Sequence, residues 1–383
     1  MDTIAQLRLL SQEMYLEADS ERDQPCQPVI YGKSIDELPI TEAVMPNGQR
    51  IKLLKTMYTS ACERNCFYCP FRAGRDMRRT TFSPDELAST YMQIYRAKAV
   101  EGIFLSSGLI GGGFRIQDKL IDTAEILRNK HAYQGYLHLK IMPGAQKDQL
   151  LRAMQLASRI SINLEAPNDH RLNLLAPKKR FTTELINPLK WASEIRRQLS
   201  PNTTWNGRWP SSATQFVVGA VGENDLELIS TSQNLFRQFG LRRIYYSRFN
   251  PIENTPLEHH PPENPWRQHR LYQSSYLLRD YGFNIEEMPF DIDGNLPLDI
   301  DPKLAWAQAN LHHKPIEINH AETEYLIRVP GIGPRGAEKI LKARRQRKIR
   351  ELNQLQKMGI ITKRAAEFIT LDGKRPAYQP ALL

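Results

Sequence analysis

Three thiols at short spacing are the strongest chemical statement in this chain. Cys62, Cys66 and Cys69 form a C-x3-C-x2-C array directly after an apolar, β-prone run from Ile51 to Thr59, and no other Cys or His lies between Thr56 and His131. A structural zinc site closes its shell with four protein ligands, whereas an open position marks a place where something else binds. Iron–sulfur clusters are normally held by four thiolates, so three leave one iron to take a ligand that is not protein. The alternative is a zinc knuckle completed in three dimensions by the distant Cys26 or a histidine. Cys26 otherwise reads as a free, partly buried thiol.

The local sequence Cys62-Glu63-Arg64-Asn65-Cys66-Phe67-Tyr68-Cys69-Pro70, with an aromatic residue just before the last cysteine, resembles the signature of the radical S-adenosylmethionine (SAM) enzymes. The resemblance implies a [4Fe–4S] cluster on Cys62, Cys66 and Cys69, with Tyr68 beside the cofactor and SAM chelating the unique iron. It also implies cleavage of SAM by one electron to methionine and a 5′-deoxyadenosyl radical that abstracts hydrogen from a substrate. In such chemistry the cofactors do the hard step and the protein supplies orientation and exclusion of water.

The elements that must position these residues read as a βα repeat. Apolar or β-branched runs at Leu53–Tyr58, Gly102–Ser106, Tyr136–Ile141, Ile160–Leu164, Thr214–Val218 and Arg243–Phe249 alternate with segments of helical periodicity. Ser83–Ala99 is one such helix, opened by Ser83-Pro84-Asp85-Glu86, and Asp148–Ala157 is another. Six βα units predict a curved parallel sheet with ligands at the C-terminal strand ends. The resemblance implies the α/β (βα)6 partial TIM barrel of radical SAM type, its cluster loop following the first strand.

Several strand ends resemble cofactor-contacting positions of that family. Ser106, Ser107 and Gly108 stand where many members carry a Gly-Gly-Glu that takes the SAM amino group; the glutamate is absent here, leaving backbone carbonyls and serine hydroxyls as acceptors, or a plain polar turn before Gly111-Gly112-Gly113. Period-two alternation sets Ser161, Asn163 and Glu165 on one face of the fourth strand, toward the barrel interior. Asn163 and Glu165 are candidates for the SAM ribose or carboxylate, and satisfied polar core residues are the alternative. Val217-Val218-Gly219-Ala220-Val221-Gly222-Glu223 is similar to the family's adenine-flanking turn, which makes Val217 and Gly219 cofactor candidates, and Phe249-Asn250-Pro251-Ile252 stands at a second adenine-side wall. Arg72, Arg75, Arg78 and Arg79 follow the last cysteine and read either as a solvated face or as anion ligands at the site mouth.

Charge separates the chain into two parts. Of 383 residues, Leu311–Leu383 holds 15 Lys and Arg against 7 Asp and Glu, leaving 37 against 35 for the rest. The formal net charge of +10 is thus a property of the tail, and lysines and arginines so placed displace counterions from a polyanion such as nucleic acid. In that tail Leu326-Ile327-Arg328-Val329-Pro330-Gly331-Ile332-Gly333-Pro334-Arg335-Gly336-Ala337-Glu338-Lys339-Ile340 resembles the helix-hairpin-helix of DNA-binding proteins. Glycines in the turn let backbone approach a ligand, and the second helix opens with unpaired N–H groups that suit a phosphate. Gly331, Ile332, Gly333, Arg335, Lys339 and Lys342 are the predicted nucleic-acid contacts, independent of base sequence. A turn between packed helices, or a protein-binding hairpin, is the alternative.

These features predict an N-terminal extension (1–50), a radical SAM partial barrel (51–260), a connector with a helix at Trp266–Tyr281 (261–310) and a small all-α basic helix-hairpin-helix domain (311–383). The 41% hydrophobic content supports a sizeable core, the four cysteines make no disulfide framework, and no signal peptide or ~18-residue apolar span is seen, so a cytoplasmic, non-membrane location is expected. The combination resembles radical SAM proteins assigned to DNA modification or repair, which tend to accompany a uracil-DNA-glycosylase-like partner. It implies DNA as substrate and a reducing partner such as flavodoxin or ferredoxin. Modification of RNA, or a nucleic-acid-binding protein with a structural or redox-sensing cluster, are the other readings.

Overall fold

The computed structural model describes residues 3–14, 38–44 and 49–377. Cys26 and the stretch from Asp19 to Pro28 lie outside them. The chain divides into two compact units: one runs to Glu223 and includes Asn234–Pro265, and the other comprises Asn224–Gln233 and the chain from Trp266 onward. Among the described residues no helix is long and apolar enough to cross a membrane.

The first unit is built on one seven-stranded sheet whose spatial order equals its sequence order. Strands β1 (Ile40–Val44), β2 (Arg50–Met57), β3 (Gly102–Ser106), β4 (Tyr136–Lys140), β5 (Arg159–Ser161), β6 (Ser211–Val218) and β7 (Arg243–Arg248) make it up. β1 pairs antiparallel with β2, and every later pair is parallel. The helices of the chain are α1 (Thr3–Met14), α2 (Pro84–Arg96), α3 (Gly113–Glu125), α4 (Lys147–Leu156), α5 (Asp169–Leu175), α6 (Asn187–Gln198), α7 (Asp225–Phe239), α8 (Pro265–Asp280), α9 (Pro302–Leu311), α10 (Thr323–Leu326), α11 (Pro334–Gln346), α12 (Leu352–Lys357) and α13 (Thr362–Ala365). Sequential parallel strands joined by helices curl the sheet into the half-barrel that the βα repeat predicts.

Local sequence explains these elements well. β3 is buried along its whole length, as a strand covered on both faces must be. At the start of α2 the Ser83 hydroxyl accepts the Glu86 N–H, the Glu86 carboxylate accepts the Ser83 N–H, and Pro84 takes the first helical position; such a capping box contributes about 1 kcal/mol. α1 packs its buried Leu7 and Leu10 in the unit that holds β2 and α2, which it touches. The fourth predicted strand, Ile160–Leu164, is shorter than expected. Ladder pairing stops at Ser161; beyond it Ile162 N–H donates to Ala213 O (3.1 Å) and Leu164 N–H to the Thr214 hydroxyl (3.2 Å), and a bridge between Glu165 and Phe216 rejoins β6. Glu165 itself sits at φ +66, a left-handed conformation rare for a residue with a Cβ, so simple alternation breaks here.

The second unit has its own core, where Leu326, Val329, Ile332, Ala337, Ile340, Leu355, Ala365 and Phe368 are buried together. Beside its helices a two-residue parallel pair, Ile316–Glu317 with Ile369–Thr370, ties its ends. Two turns in this core are alike: Gly331-Ile332 before α11 and Gly359-Ile360 before α13 each place a glycine at positive φ (+85 and +84) and an isoleucine in the core.

Candidate active site

The loop after β2 carries the three cysteines and is tied down along its length. Its start is bonded to the end of β3, where Tyr58 N–H donates to Ser106 O (2.8 Å), Gly108 N–H to Thr59 O (2.7 Å) and Glu63 N–H to Leu109 O (2.6 Å). Gly108 is glycine for this reason, since a Cβ there would meet the Ala61 carbonyl. Its N–H is therefore committed to the loop. Further along, Ala73 N–H closes on Arg64 O (2.7 Å), and Phe67 N–H on Leu175 O (2.8 Å) at the end of α5.

Arginines that the sequence offers as anion ligands are partly spent on this loop. The Arg79 guanidinium donates to the carbonyls of Ser60 (2.6 Å), Phe71 (2.7 Å), Arg72 (2.9 Å) and Arg75 (3.3 Å), and Arg75 donates to Pro70 O and Glu253 O. Arg64, between the first two cysteines, pairs with Glu184 at 2.6 Å. A guanidinium presents five donors in a fixed fork, so one side chain can gather several carbonyls of an irregular loop.

Cys62, Cys66 and Cys69 line one cleft of about 590 Å³, part of it open solvent, together with Tyr68, Ser107, Gly108, Asn163 and Glu165. None of the three cysteines is in a disulfide among the described residues. Residues from the ends of β3, β4 and the segment after β5 thus meet the cysteine loop at the C-terminal edge of the sheet. Ser106, Val217 and Gly219 are not among the lining residues. Ser106 is buried, Val217 is 5% exposed, and Gly219 lies in a turn closed by Glu223, whose carboxylate accepts the N–H groups of Gly219 and Val221. Asn163 lines the cleft while donating its amide to Gln215 (3.1 Å).

Two lysines in the cleft escaped the sequence reading. Lys140 ends β4, and Lys179 lies beyond α5 with no motif around it. Lys179 pairs with Glu165 at 2.6 Å with both side chains below 10% exposure, and the Tyr68 hydroxyl bonds the same carboxylate. Burial works against the charge on Lys179, yet Cys66, Glu165 and Cys69 around it raise its pKa above the ordinary lysine value. Burial likewise pushes the Cys66 thiol up, against the pull of Lys179. Only a recurring Lys near a barrel edge marks such a residue in sequence, and that signal is too weak to select it.

A cluster and SAM fit these residues on the chemistry of the donor set. Three thiols outside any disulfide line one cleft, and the Ser107 hydroxyl, 7% exposed, lines it with no hydrogen-bond partner among the described residues. Buried polar groups ordinarily have partners, so an orphan hydroxyl on a cleft wall awaits a ligand. Among the described residues no group of three or more His, Cys, Asp or Glu is set to hold a metal ion.

In the second unit, α11 opens at Gly333-Pro334, and Arg335, Lys342 and Arg345 are exposed on it without hydrogen bond or ion pair among the described residues. Other predicted contacts serve the module itself. Ile332 is 1% exposed, its N–H donates to Val329 O, and its carbonyl accepts Lys303 Nζ at 2.7 Å. Gly331 is required by the second turn, because a Cβ would collide with the Ile361 carbonyl. Lys339 donates to Met358 O (2.8 Å) at the end of α12. Gly333 sits at φ −100, which any residue adopts.

Comparison with known proteins agrees with the two-part reading. The model of the radical SAM superfamily matches residues 56–204, and that of the helix-hairpin-helix motif matches residues 312–370. No curated protein matches the chain. Among solved structures it is similar to the FeFe-hydrogenase maturase HydG from Carboxydothermus hydrogenoformans (16% identity, 59% of this chain and 51% of that chain, TM-score 0.47). It is also similar to methylornithine synthase PylB (13% identity, 59% and 61%, TM-score 0.47) and to the radical S-adenosylmethionine methyltransferase TsrM from Kitasatospora setae (14% identity, 76% and 60%, TM-score 0.40). The chain spans about half to three fifths of the length of these proteins. The chain thus carries a radical SAM superfamily match over residues 56–204, which holds the three cleft thiols, and a helix-hairpin-helix match over residues 312–370.

Proposed function

We propose that this chain is a radical SAM enzyme acting on DNA, in modification or repair. The single observation that supports it best is the union, in one chain, of a three-thiol cleft with a hairpin module whose exposed Arg335, Lys342 and Arg345 make no hydrogen bond or ion pair among the described residues. Cys62, Cys66 and Cys69 hold the cluster, and Ser107, Asn163 and Tyr68 stand where SAM is oriented. When bound, the reduced cluster and SAM supply a 5′-deoxyadenosyl radical that takes a hydrogen atom from the substrate. The chain's own residues set the stage: Arg79 and the carbonyls of Ser106 and Leu109 fix the loop, and Lys179 with Glu165 fills the wall behind the cysteines. Arg335, Lys342 and Arg345 neutralise backbone phosphates, which positions DNA without reading bases.

A reductant such as flavodoxin or ferredoxin supplies the electron, and a uracil-DNA-glycosylase-like protein is the proposed partner. The test is anaerobic turnover of reconstituted protein with SAM, dithionite and DNA, followed by nucleoside mass spectrometry. Formation of 5′-deoxyadenosine with a mass change in a deoxynucleoside is expected. A change in RNA nucleosides alone would replace DNA with RNA, and absence of 5′-deoxyadenosine would leave a binding protein with a structural or redox-sensing cluster.

A further inference from the structure

Lys303 stands where local rules least favour a lysine. It is the second residue of α9, behind Pro302, where the helix dipole disfavours positive charge. Asp301 ahead of it answers the helix, its carboxylate accepting the Leu304 N–H (3.0 Å) and pairing with Arg364. The half-buried Lys303 reaches instead into the turn before α11, where its ammonium donates to the Ile332 carbonyl at 2.7 Å. The same ammonium lies 4.6 Å from the centre of the Tyr281 ring, a cation–π distance. Tyr281 also stands against the turn, because a Cβ on Gly333 would come within 3.2 Å of its hydroxyl. Lysine, tyrosine and turn thus form one joint.

This joint fixes a direction. A peptide unit is planar and trans, so its carbonyl and its N–H point opposite ways. With the Ile332 carbonyl turned onto Lys303, the Gly333 N–H is sent away from that lysine. Gly333 is the N-cap of the thirteen-residue helix α11 and gives it no side-chain acceptor, and its own N–H meets no acceptor among the described residues. Exposed Arg335 follows in the first turn. Unpaired N–H groups at a helix opening beside a cation suit a phosphate.

We propose that Lys303 is a positioning residue for DNA: by holding the Ile332 carbonyl it keeps the Gly333 N–H turned toward a backbone phosphate. This role rests on the proposed action on DNA. The grip depends on charge. Burial first, then the Arg364 guanidinium, hold the Lys303 pKa down to about 7 against the pull of Asp301. Burial and Asp280 push the Tyr281 phenol up, so the ring stays neutral over the same range. Below about 7 the ammonium holds both carbonyl and ring; as pH rises through that value the cation–π contact is lost and the hydrogen bond weakens to a neutral one. A phosphate bound nearby favours the charged lysine, so DNA affinity falls on the alkaline side.

The experiment measures the affinity of the anaerobically reconstituted full chain for a short DNA duplex by fluorescence anisotropy from pH 6 to 8.5. Wild type, Lys303→Met, Lys303→Arg and Arg335→Glu/Lys342→Glu are compared. Alongside, the Gly333 amide is followed by nuclear magnetic resonance in protein carrying carbonyl-labelled isoleucine and nitrogen-labelled glycine, with Ile110→Val removing the other Ile–Gly peptide of the chain. Wild-type affinity is expected to fall severalfold across this range, Lys303→Met to bind severalfold more weakly at pH 6 with a flatter profile, and Lys303→Arg to keep the pH 6 affinity throughout. The Gly333 signal is expected to shift in Lys303→Met and to move with pH in the wild type but not in Lys303→Arg. If Lys303→Met keeps the wild-type affinity and pH profile while Arg335→Glu/Lys342→Glu loses affinity, the role of Lys303 is overturned and action on DNA is not. Wild type that binds DNA no better than Arg335→Glu/Lys342→Glu overturns both. Affinity lost in Lys303→Met with the Gly333 signal unmoved overturns positioning and makes Lys303 a direct phosphate contact.

Discussion

The Lys179 ammonium lies 2.6 Å from the Glu165 carboxylate in the wall of the cysteine cleft, and both side chains are buried. Glu165 reaches this place by leaving the β5 ladder and taking a left-handed conformation, held by its N–H on Gln215 O (2.9 Å) and its carbonyl on Val217 N–H (2.8 Å). Strain of this kind persists only where surrounding structure fixes it, and it gathers at functional sites.

Removal of one partner leaves a buried charge alone. Lys179→Met is expected to destabilise the protein by about 3–5 kcal/mol, and the double change Lys179→Met/Glu165→Gln to recover part of that loss. Urea unfolding of the four proteins of the cycle measures the coupling; strictly additive losses would mean that the pair does not act as a unit.

Each thiol of the triad is expected to be necessary. Cys62→Ala, Cys66→Ala and Cys69→Ala should each lose the iron–sulfur absorbance after anaerobic reconstitution and form no 5′-deoxyadenosine, with far-ultraviolet circular dichroism unchanged. A single-cysteine variant that keeps full iron content and SAM cleavage would remove that cysteine from the ligand set.

Surface and core positions of the hairpin module should separate. Arg335→Glu/Lys342→Glu is expected to lower DNA affinity and to reduce the slope of log affinity against log salt by about 2, with the melting temperature unchanged. Gly331→Val instead lowers the melting temperature, because its side chain runs into the Ile361 carbonyl. Retained stability in that glycine variant would contradict the packing described here.

Acid should loosen this module through Glu317. Burial alone would raise its pKa, but the N–H groups of Gly373 and Asn319 and the side chains of Thr370 and Asn319 hold it down to about 2, below the ordinary 4.5. A depressed carboxylate pKa means stability that is fully present above the unfolded value and lost as pH falls from about 4.5 toward 2. Thermal melts between pH 6 and 2 are expected to show this loss in the wild type and a flatter profile in Glu317→Gln. Equal slopes in the two proteins would rule Glu317 out as the source.

The cysteine triad, the run of six parallel strands and the hairpin glycines were legible in the sequence because each is local: a spacing, a period, a turn chemistry. Residues that reach the site from afar were not. Lys179 carries no pattern around it and meets Glu165 only after β5 breaks off, and Arg79, read as an anion ligand or surface charge, gathers four loop carbonyls. Alternation from Ser161 through Asn163 to Glu165 named two cleft residues, although the ladder that justified it ends at Ser161.

By itself, then, the sequence determined which side chains can bind a cluster and which region carries excess positive charge, since composition and short spacing are properties of the chain. Tertiary structure decided which charges are spent on the fold and which stay available. Lys339 was counted with Arg335 and Lys342 as a nucleic-acid contact, yet it donates to the Met358 carbonyl while the other two make no hydrogen bond or ion pair among the described residues. The physical reason is that a lysine or arginine takes whichever acceptor the fold brings within reach, and that acceptor is generally distant in sequence.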